Sequence, residues 1–232
     1  MRADPTPTGT EIRCEGVGLT VDDAVLLHDV DLALTARRTA IIGANGSGKS
    51  TFARMFNGLR APNAGRMRVH GLDPSQHASS LRRHVGFVFT NPEAQILMPT
   101  PAEDVALSLP HLSREERAQR VAEILEEYGL ADRSDVPASG LSGGQRQLLA
   151  IASVLATEPG LVVADEPTTL LDLRNSRRVG ELLLSLETPL VVVTHDLDLA
   201  ARCDLVVWFD DGTVRQLGDP VEVTAAYRRS AA

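Results

Sequence analysis

Gly43-Ala-Asn-Gly-Ser-Gly-Lys-Ser50 is the stretch from which the rest of the chain can be read. It fits the phosphate-loop pattern G-x-x-x-x-G-K-S, in which backbone N–H groups curl around a β-phosphate at the start of a helix. Its candidate nucleotide-binding residues are Gly43, Ala44, Asn45, Gly46, Ser47, Gly48, Lys49 and Ser50. Lys49 is the one lysine among 23 basic residues; all the others are arginine. The gap beside such a loop is narrow. A compact ammonium on a flexible stem enters it, and a planar guanidinium fork does not. Lys49 is therefore assigned a direct role at the phosphates. Ala40-Ile-Ile42 reads as a short buried strand feeding the loop. A helix is expected from Lys49 to Leu59, with Gly58 near its end.

Outward from the loop, residues 11–43 alternate apolar and polar, with Val25, Leu27 and Val30 to Leu34 as strand material. Residues 1–10, rich in Pro and Thr, read as a disordered tail. Strands are expected at Arg66–His70 and Val85–Phe89. The pattern then turns helical over about residues 92–156, with helices from Ala102 to Ala156 interrupted at Pro137–Gly140. Ser113-Arg-Glu-Glu116 is a capping box, and Val121, Ile124, Leu125 and Tyr128 repeat at helical spacing until Gly129. That face reads as core rather than as a cofactor site. Leu161–Asp165 and Leu190–Thr194 lack alternation, as strands covered on both faces do. A helix over 172–186 separates them. Leu205–Phe209, Asp211-Gly212 and Thr213–Leu217 read as a hairpin, and Asp219-Pro220 opens a last helix. The whole is an α/β pattern: a parallel core, an N-terminal antiparallel sheet and a helical insert.

Three further constellations carry chemistry. Leu161-Val-Val-Ala-Asp165-Glu166 is a buried strand ending in two carboxylates. Asp165 is placed to hold Mg²⁺ through water beside Ser50, whose hydroxyl is the direct ligand, and Glu166 to polarise an attacking water. Leu141-Ser-Gly-Gly-Gln145 offers a second phosphate-binding surface: Ser142 at a helix start, and Gly143 and Gly144 with bare backbone N–H groups before Gln145. One chain has little use for two such surfaces at one γ-phosphate; two chains arranged head to tail do. His195 follows a parallel strand at its carboxyl end, where such sheets bind ligands, and is a γ-phosphate contact candidate.

Bulk properties narrow the class. A net charge of −8 argues against nucleic acid as a partner. No apolar run approaches membrane-spanning length, and Met1 to Thr8 lacks the apolar core of a signal peptide. Two isolated cysteines, Cys14 and Cys203, suggest a reducing compartment and small core residues rather than ligands. A cytoplasmic protein is expected, with any membrane role supplied through a partner.

Taken together these motifs resemble the nucleotide-binding subunit of an ATP-binding-cassette transporter, over nearly all of residues 12–220 and in the family's order. The resemblance implies a P-loop NTPase with a RecA-like parallel core, an antiparallel β subdomain and an inserted α-helical subdomain, within residues 11–232. It extends the phosphate loop to Thr51 and makes Leu141–Gln145 the family signature. It further implies Glu166 as the catalytic glutamate, Asp165 on the Mg²⁺ strand, His195 as the switch histidine and a dimer-contact loop around Asp172. ATP would close a two-fold dimer, either of this chain or with a paralogous ATPase. Phe87-Val-Phe-Thr-Asn-Pro-Glu-Ala-Gln95, Met98-Pro-Thr-Pro-Ala-Glu-Asp-Val105 and Glu166-Pro-Thr-Thr-Leu-Leu-Asp-Leu-Arg-Asn175 are similar to the energy-coupling-factor class of vitamin and metal-ion importers. Within it the ATPase component of biotin transporters is most similar, and cobalt or nickel importers come next. That class implies a transmembrane coupling subunit, a substrate-binding membrane subunit and a peripheral place on the cytoplasmic membrane face. A soluble cassette ATPase serving an assembly process is the rival. The apolar Ala94–Pro101 favours docking to a membrane subunit over it.

Two positions depart from the family. The aromatic residue that stacks on adenine is matched by Val21. Thr90 stands where a glutamine links the metal region to the membrane partner, and is placed with Ser50 and Asp165 in the metal set, directly or through a water. Gln95 nearby is the alternative for that coupling role, although its offset points rather to a partner-facing residue.

Overall fold

The computed structural model describes residues 11–230, so the tail expected at 1–10 lies outside the described residues. Among the described residues nine strands, in two sheets, and eight α-helices follow one another. The strands are β1 (Ile12–Val21), β2 (Ala24–Leu34), β3 (Arg38–Ile42), β4 (Ala64–Val69), β5 (Val85–Val88), β6 (Leu161–Asp165), β7 (Leu190–Val193), β8 (Leu205–Asp210) and β9 (Thr213–Gly218). The helices are α1 (Lys49–Ala53), α2 (Ala78–His84), α3 (Pro101–Leu107), α4 (Arg114–Glu127), α5 (Gly143–Leu155), α6 (Leu173–Ser185), α7 (Leu197–Ala200) and α8 (Pro220–Ser230).

The larger sheet has the order β5-β6-β7-β3-β8-β9; its first five strands are parallel and β9 turns back as a hairpin on β8. The smaller is antiparallel, β2-β1-β4. Alternate residues of the parallel strands feed two cores. Val162, Ala164, Leu190 and Val192 pack against α4, α5 and α6 on one face. Leu161, Val163, Val191 and Val193 pack toward α1 and the antiparallel sheet on the other. Burial on both faces is why these strands show no alternation. Phe52 anchors the second core, with its ring centroid 4.9 Å from both Phe56 and Phe209. Truncating such a phenylalanine costs roughly 3–5 kcal/mol.

Between β5 and β6 the chain is helical, as expected. Ser113 and Glu116 form both arms of the capping box on α4, and Val121, Ile124, Leu125 and Tyr128 are buried. The segment at Pro137–Gly140 is a short 3₁₀ turn rather than an open loop. The helix expected over Lys49–Leu59 is shorter. It ends at Ala53, and tighter bonds such as Met55 N to Phe52 O and Phe56 N to Ala53 O carry the chain to Gly58. Gly58, at φ 70°, lies against Ala78 at the start of α2, a helix not foreseen from the sequence; a Cβ there would sit 2.7 Å from Ala78 Cα.

Candidate active site

The strand order makes β6, β7 and β3 neighbours, so their carboxyl ends bring Asp165, Glu166, His195 and Gly43 to one edge of the sheet. Glycine is required at two points of the loop. Gly43, at φ 147°, has no room for a Cβ against the Phe209 carbonyl, and at Gly48, at φ 96°, one would meet Leu27 Cδ2 at 2.7 Å. Lys49 is buried, and its Nζ donates to the carbonyls of Gly43 at 2.9 Å and Ala44 at 2.7 Å. Burial pushes its pKa below the ordinary lysine value, while the charges of Glu166 and Asp165 pull it back up.

Ser50 Oγ donates to Asp165 Oδ1 at 2.7 Å. The other carboxylate oxygen, Oδ2, is buried without a hydrogen-bond partner, and Arg54 Nη2 stands 3.7 Å away. Burial raises the Asp165 pKa; the Ser50 hydrogen bond and the Arg54 charge oppose the rise. A hydroxyl and an under-satisfied buried carboxylate are hard oxygen donors, so this pair fits a magnesium ion.

Glu166 sits at φ 52°, a left-handed conformation that costs a non-glycine residue about 1–3 kcal/mol and clusters at functional sites. Its amide donates to Val193 O at 2.9 Å. Its Oε2 accepts from Thr169 Oγ1 at 2.9 Å and lies 2.7 Å from His195 Nδ1. His195 Nδ1 faces that carboxylate oxygen, and the exposed ring turns its Nε2 outward.

Leu26, Asn45 to Thr51 and Glu166 line a cavity of about 320 Å³. Leu26, which the sequence did not mark, is the aliphatic side chain there; Val21, the position matched to the adenine contact, packs instead at the end of β1 and is not in the lining. No residue of Leu141–Gln145 lines that cavity either. Ser142 and Gln145 form a capping box at the start of α5, with Ser142 and Gly143 exposed. Gly144 is buried where a Cβ would sit 2.5 Å from Asn175 Cγ.

Thr90 Oγ1 donates to the backbone carbonyl of Asp165 at 2.9 Å. Gln95 does not face outward: its Oε1 accepts from Phe89 N at 3.1 Å and its Nε2 donates to Ala150 O on α5 at 3.4 Å. The expectation of a partner-facing Gln95 is corrected, because both of its amide atoms satisfy backbone groups inside the fold. Arg54 beside Asp165 and Thr169 on Glu166 were also missed; Thr169 was signalled only by its place three residues after Glu166.

A family model described as ABC transporter matches residues 27–169. The chain belongs to the ABC transporter ATPases. A putative ABC transporter ATP-binding protein of Deinococcus radiodurans is 46% identical over 209 residues, covering 89% of this chain and 92% of the relative. The biotin transport ATP-binding protein BioM of Rhizobium etli is 40% identical, covering 95% of this chain and 99% of the relative. The energy-coupling factor transporter ATP-binding protein EcfA1 of Lactiplantibacillus plantarum is 37% identical, over 87% of this chain and 74% of the relative. Among solved structures, cbiO1 of Clostridium perfringens, part of the ABC transporter complex cbiONQ, superposes with a TM-score of 0.83 at 31% identity, over 94% and 92% of the two chains. A dimeric ATP-binding cassette, MJ0796, in a post-hydrolysis state with ADP and Pi superposes with a TM-score of 0.77 at 29% identity, over 90% and 98%. This ABC ATPase thus binds and hydrolyses ATP as an ATPase of the energy-coupling-factor type. Among its described residues no helix is long and apolar enough to cross a membrane.

Proposed function

We propose that this ATPase powers an energy-coupling-factor importer whose cargo is biotin, working as a peripheral subunit on the cytoplasmic face of the membrane. Its partners would be a second ATPase chain, identical or paralogous, a transmembrane coupling subunit and a small substrate-binding membrane subunit. The likeness to BioM over 95% of the chain supports the cargo. Leu97, 72% exposed, and the half-buried Ile96 and Met98 give the apolar surface a membrane subunit's helix would cover.

The hydrolytic reading rests on one observation above all: Glu166 is held by Thr169 and His195 beside the phosphate-loop cavity. ATP phosphates would take the Lys49 ammonium from the Gly43 and Ala44 carbonyls. Ser50 and Asp165 would hold Mg²⁺, which would supply positive charge beside the triphosphate. Glu166 orients the attacking water and receives its proton. His195, fixed through Nδ1, directs Nε2 to the γ-phosphate side. Ser142, Gly143 and Gly144 of a second chain close the site. Thr90 acts on this centre through the Asp165 carbonyl. Such catalysis is mostly positioning and charge placement.

The test is capture of the tagged chain from detergent-solubilised native membranes, with partners identified by mass. A coupling protein and a small membrane protein carrying biotin would bear out the proposal. A metal-binding small subunit would transfer it to the metal-ion importers, and soluble partners alone would favour an assembly ATPase.

A further inference from the structure

The turn between β8 and β9 holds the phosphate loop through a single peptide group. The Gly212 N–H donates to the Ser47 carbonyl at 3.2 Å. In a trans peptide the C=O and the N–H point in opposite directions. Holding Ser47 O therefore fixes the plane of the Ser47–Gly48 peptide and aims the Gly48 N–H away from Gly212. Gly48 lines the nucleotide cavity beside Lys49 and Ser50. The same rule applies one step further back. The Asp211 carbonyl shares its peptide with the Gly212 N–H, and His28 Nε2 on β2 lies 3.0 Å from that carbonyl oxygen. His28 Nδ1 stands 3.4 Å from Asp29 Oδ2 on the exposed side of the ring. The turn is docked by other bonds as well: the His28 N–H donates to Gly212 O at 3.0 Å, and Thr213 Oγ1 donates to Asp29 O at 3.3 Å. Gly212, at φ 80°, allows the close approach, since a Cβ there would sit 2.9 Å from Leu26 O.

We propose that His28 is a positioning residue for nucleotide binding, acting on the phosphates through two peptide groups in series. The inference rests on the reading of Gly43–Ser50 as the phosphate site. The imidazole sets the Asp211–Gly212 peptide, that peptide sets the Ser47–Gly48 peptide, and the Gly48 N–H meets the β-phosphate. Two effects add. The planes are fixed before the nucleotide arrives, so the Gly48 donor needs no reorientation. An Nε2–H donated to Asp211 O also polarises the peptide behind it. Gly212 becomes a stronger donor to Ser47 O, and Gly48 in turn a stronger donor to phosphate, because hydrogen bonds in a chain reinforce one another. Loss of the ring leaves the turn docked through the His28 and Thr213 bonds. It frees only the tilt of the Asp211–Gly212 peptide, so the cost falls on binding and not on the fold.

The experiment compares the full wild-type chain with His28→Ala and His28→Gln. Glutamine Nε2 is as many bonds from its Cα as the imidazole Nε2, so it restores the donor without the ring. Three quantities are read: the Kd for Mg–ADP by calorimetry, kcat at saturating Mg–ATP, and the amide proton shifts of Gly212 and Gly48 by NMR. In His28→Ala the Kd is expected to rise about two- to tenfold, the range that one hydrogen bond covers, with kcat changed less than about twofold. The Gly212 and Gly48 amide protons should both move upfield, as weaker hydrogen bonds require. His28→Gln should return all three toward wild type. Should His28→Ala fail to fold, His28→Leu, which fills the space without a donor, takes its place. An unchanged Kd, an equal loss in His28→Gln, or a Gly212 shift that leaves Gly48 unmoved overturns the proposal. A Gly48 amide that does not respond to Mg–ADP in the wild-type chain would overturn the phosphate-site reading itself, and the relay with it.

Discussion

His195 Nδ1 lies 2.7 Å from Glu166 Oε2, and that contact joins the ends of β7 and β6 across the nucleotide edge of the sheet. Glu166→Gln would keep the shape and leave an amide that cannot take a proton from water. Turnover is expected to fall by about 10²–10³-fold or more, with ATP binding retained. His195→Ala is expected to lose activity and to free the Glu166 side chain. Thr90→Ala removes only a hydrogen bond to the Asp165 carbonyl and is expected to cost less than Glu166→Gln. Steady-state phosphate release from the three variants checks this order, and equal losses for Thr90→Ala and Glu166→Gln would refute it.

Lys49 is confined by two carbonyls at 2.9 and 2.7 Å. Each hydrogen bond to a charged group is worth about 1.5–3 kcal/mol, so Lys49→Ala is expected to weaken nucleotide binding at least tenfold. Lys49→Arg should fail as well, since a fork of five donors cannot enter the same gap. Titration calorimetry with Mg–ATP tests both, and near-normal affinity in Lys49→Arg would contradict the account of the single lysine.

The two signature glycines should differ. A Cβ on Gly144 would sit 2.5 Å from Asn175 Cγ, and Asn175 is itself held by Asp172 through bonds of 2.9 and 2.7 Å. Gly144→Ala is therefore expected to destabilise the fold by about 1–3 kcal/mol. At Gly143 the nearest atom would be Leu170 O at 4.0 Å. Gly143→Ala should melt like the wild-type chain yet hydrolyse ATP slowly, because its methyl group would obstruct only a nucleotide held by a second chain. Thermal melts beside activity assays distinguish them.

Acid should weaken this fold through a histidine pair. His70 Nδ1 is 2.8 Å from His84 Nε2. Burial, then the charge of His84, pushes the His70 pKa from 6.5 down to about 4. A folded-state value below the unfolded one means the unfolded chain takes up protons first. The stability is thus present above pH 6.5 and lost as pH falls toward about 4. His70→Asn, which tolerates the φ of 50° found there, should flatten melting temperature against pH over that window. An unchanged slope would exclude His70 as its source.

Base selectivity should be loose. No aromatic side chain is among the described residues lining the phosphate-loop cavity, where Leu26 stands. A stacking contribution of about 0.5–1.5 kcal/mol, up to roughly tenfold in affinity, is absent from that lining. GTP is expected to displace ATP within about that factor. Competition binding with a fluorescent ATP analogue tests it, and failure of GTP even in large excess would refute it.

Much of the site was legible because its signals are local. The loop at 43–50, the strand 161–165 ending in Asp165 and Glu166, and the capped helix behind Ser142 each announce themselves within a few residues. What escaped was decided by contacts between distant segments. Gln95 looks outward by position, yet its amide is consumed by Phe89 and Ala150. Leu26, rather than Val21, faces the nucleotide cavity because the β1–β2 hairpin folds over the loop, where the Leu26 carbonyl lies 3.0 Å from where a Cβ on Gly48 would be. Helix α1 stops at Ala53 where the sequence allowed it to run on, since Gly58 must turn against Ala78. Arg54 reaches Asp165 only after the 110 intervening positions have folded.

Trp208 is the chain's single tryptophan, paired in register with Ile42, the residue immediately before the phosphate loop. Arg215 lies over its indole, 4.6 Å from the ring centroid, and Tyr227 meets its edge. Ultraviolet emission excited at the red edge of protein absorption therefore originates from one fluorophore, one residue in register from the loop. The molecule carries its own optical gauge of loop movement, readable without a label and in a chain of otherwise wild-type sequence.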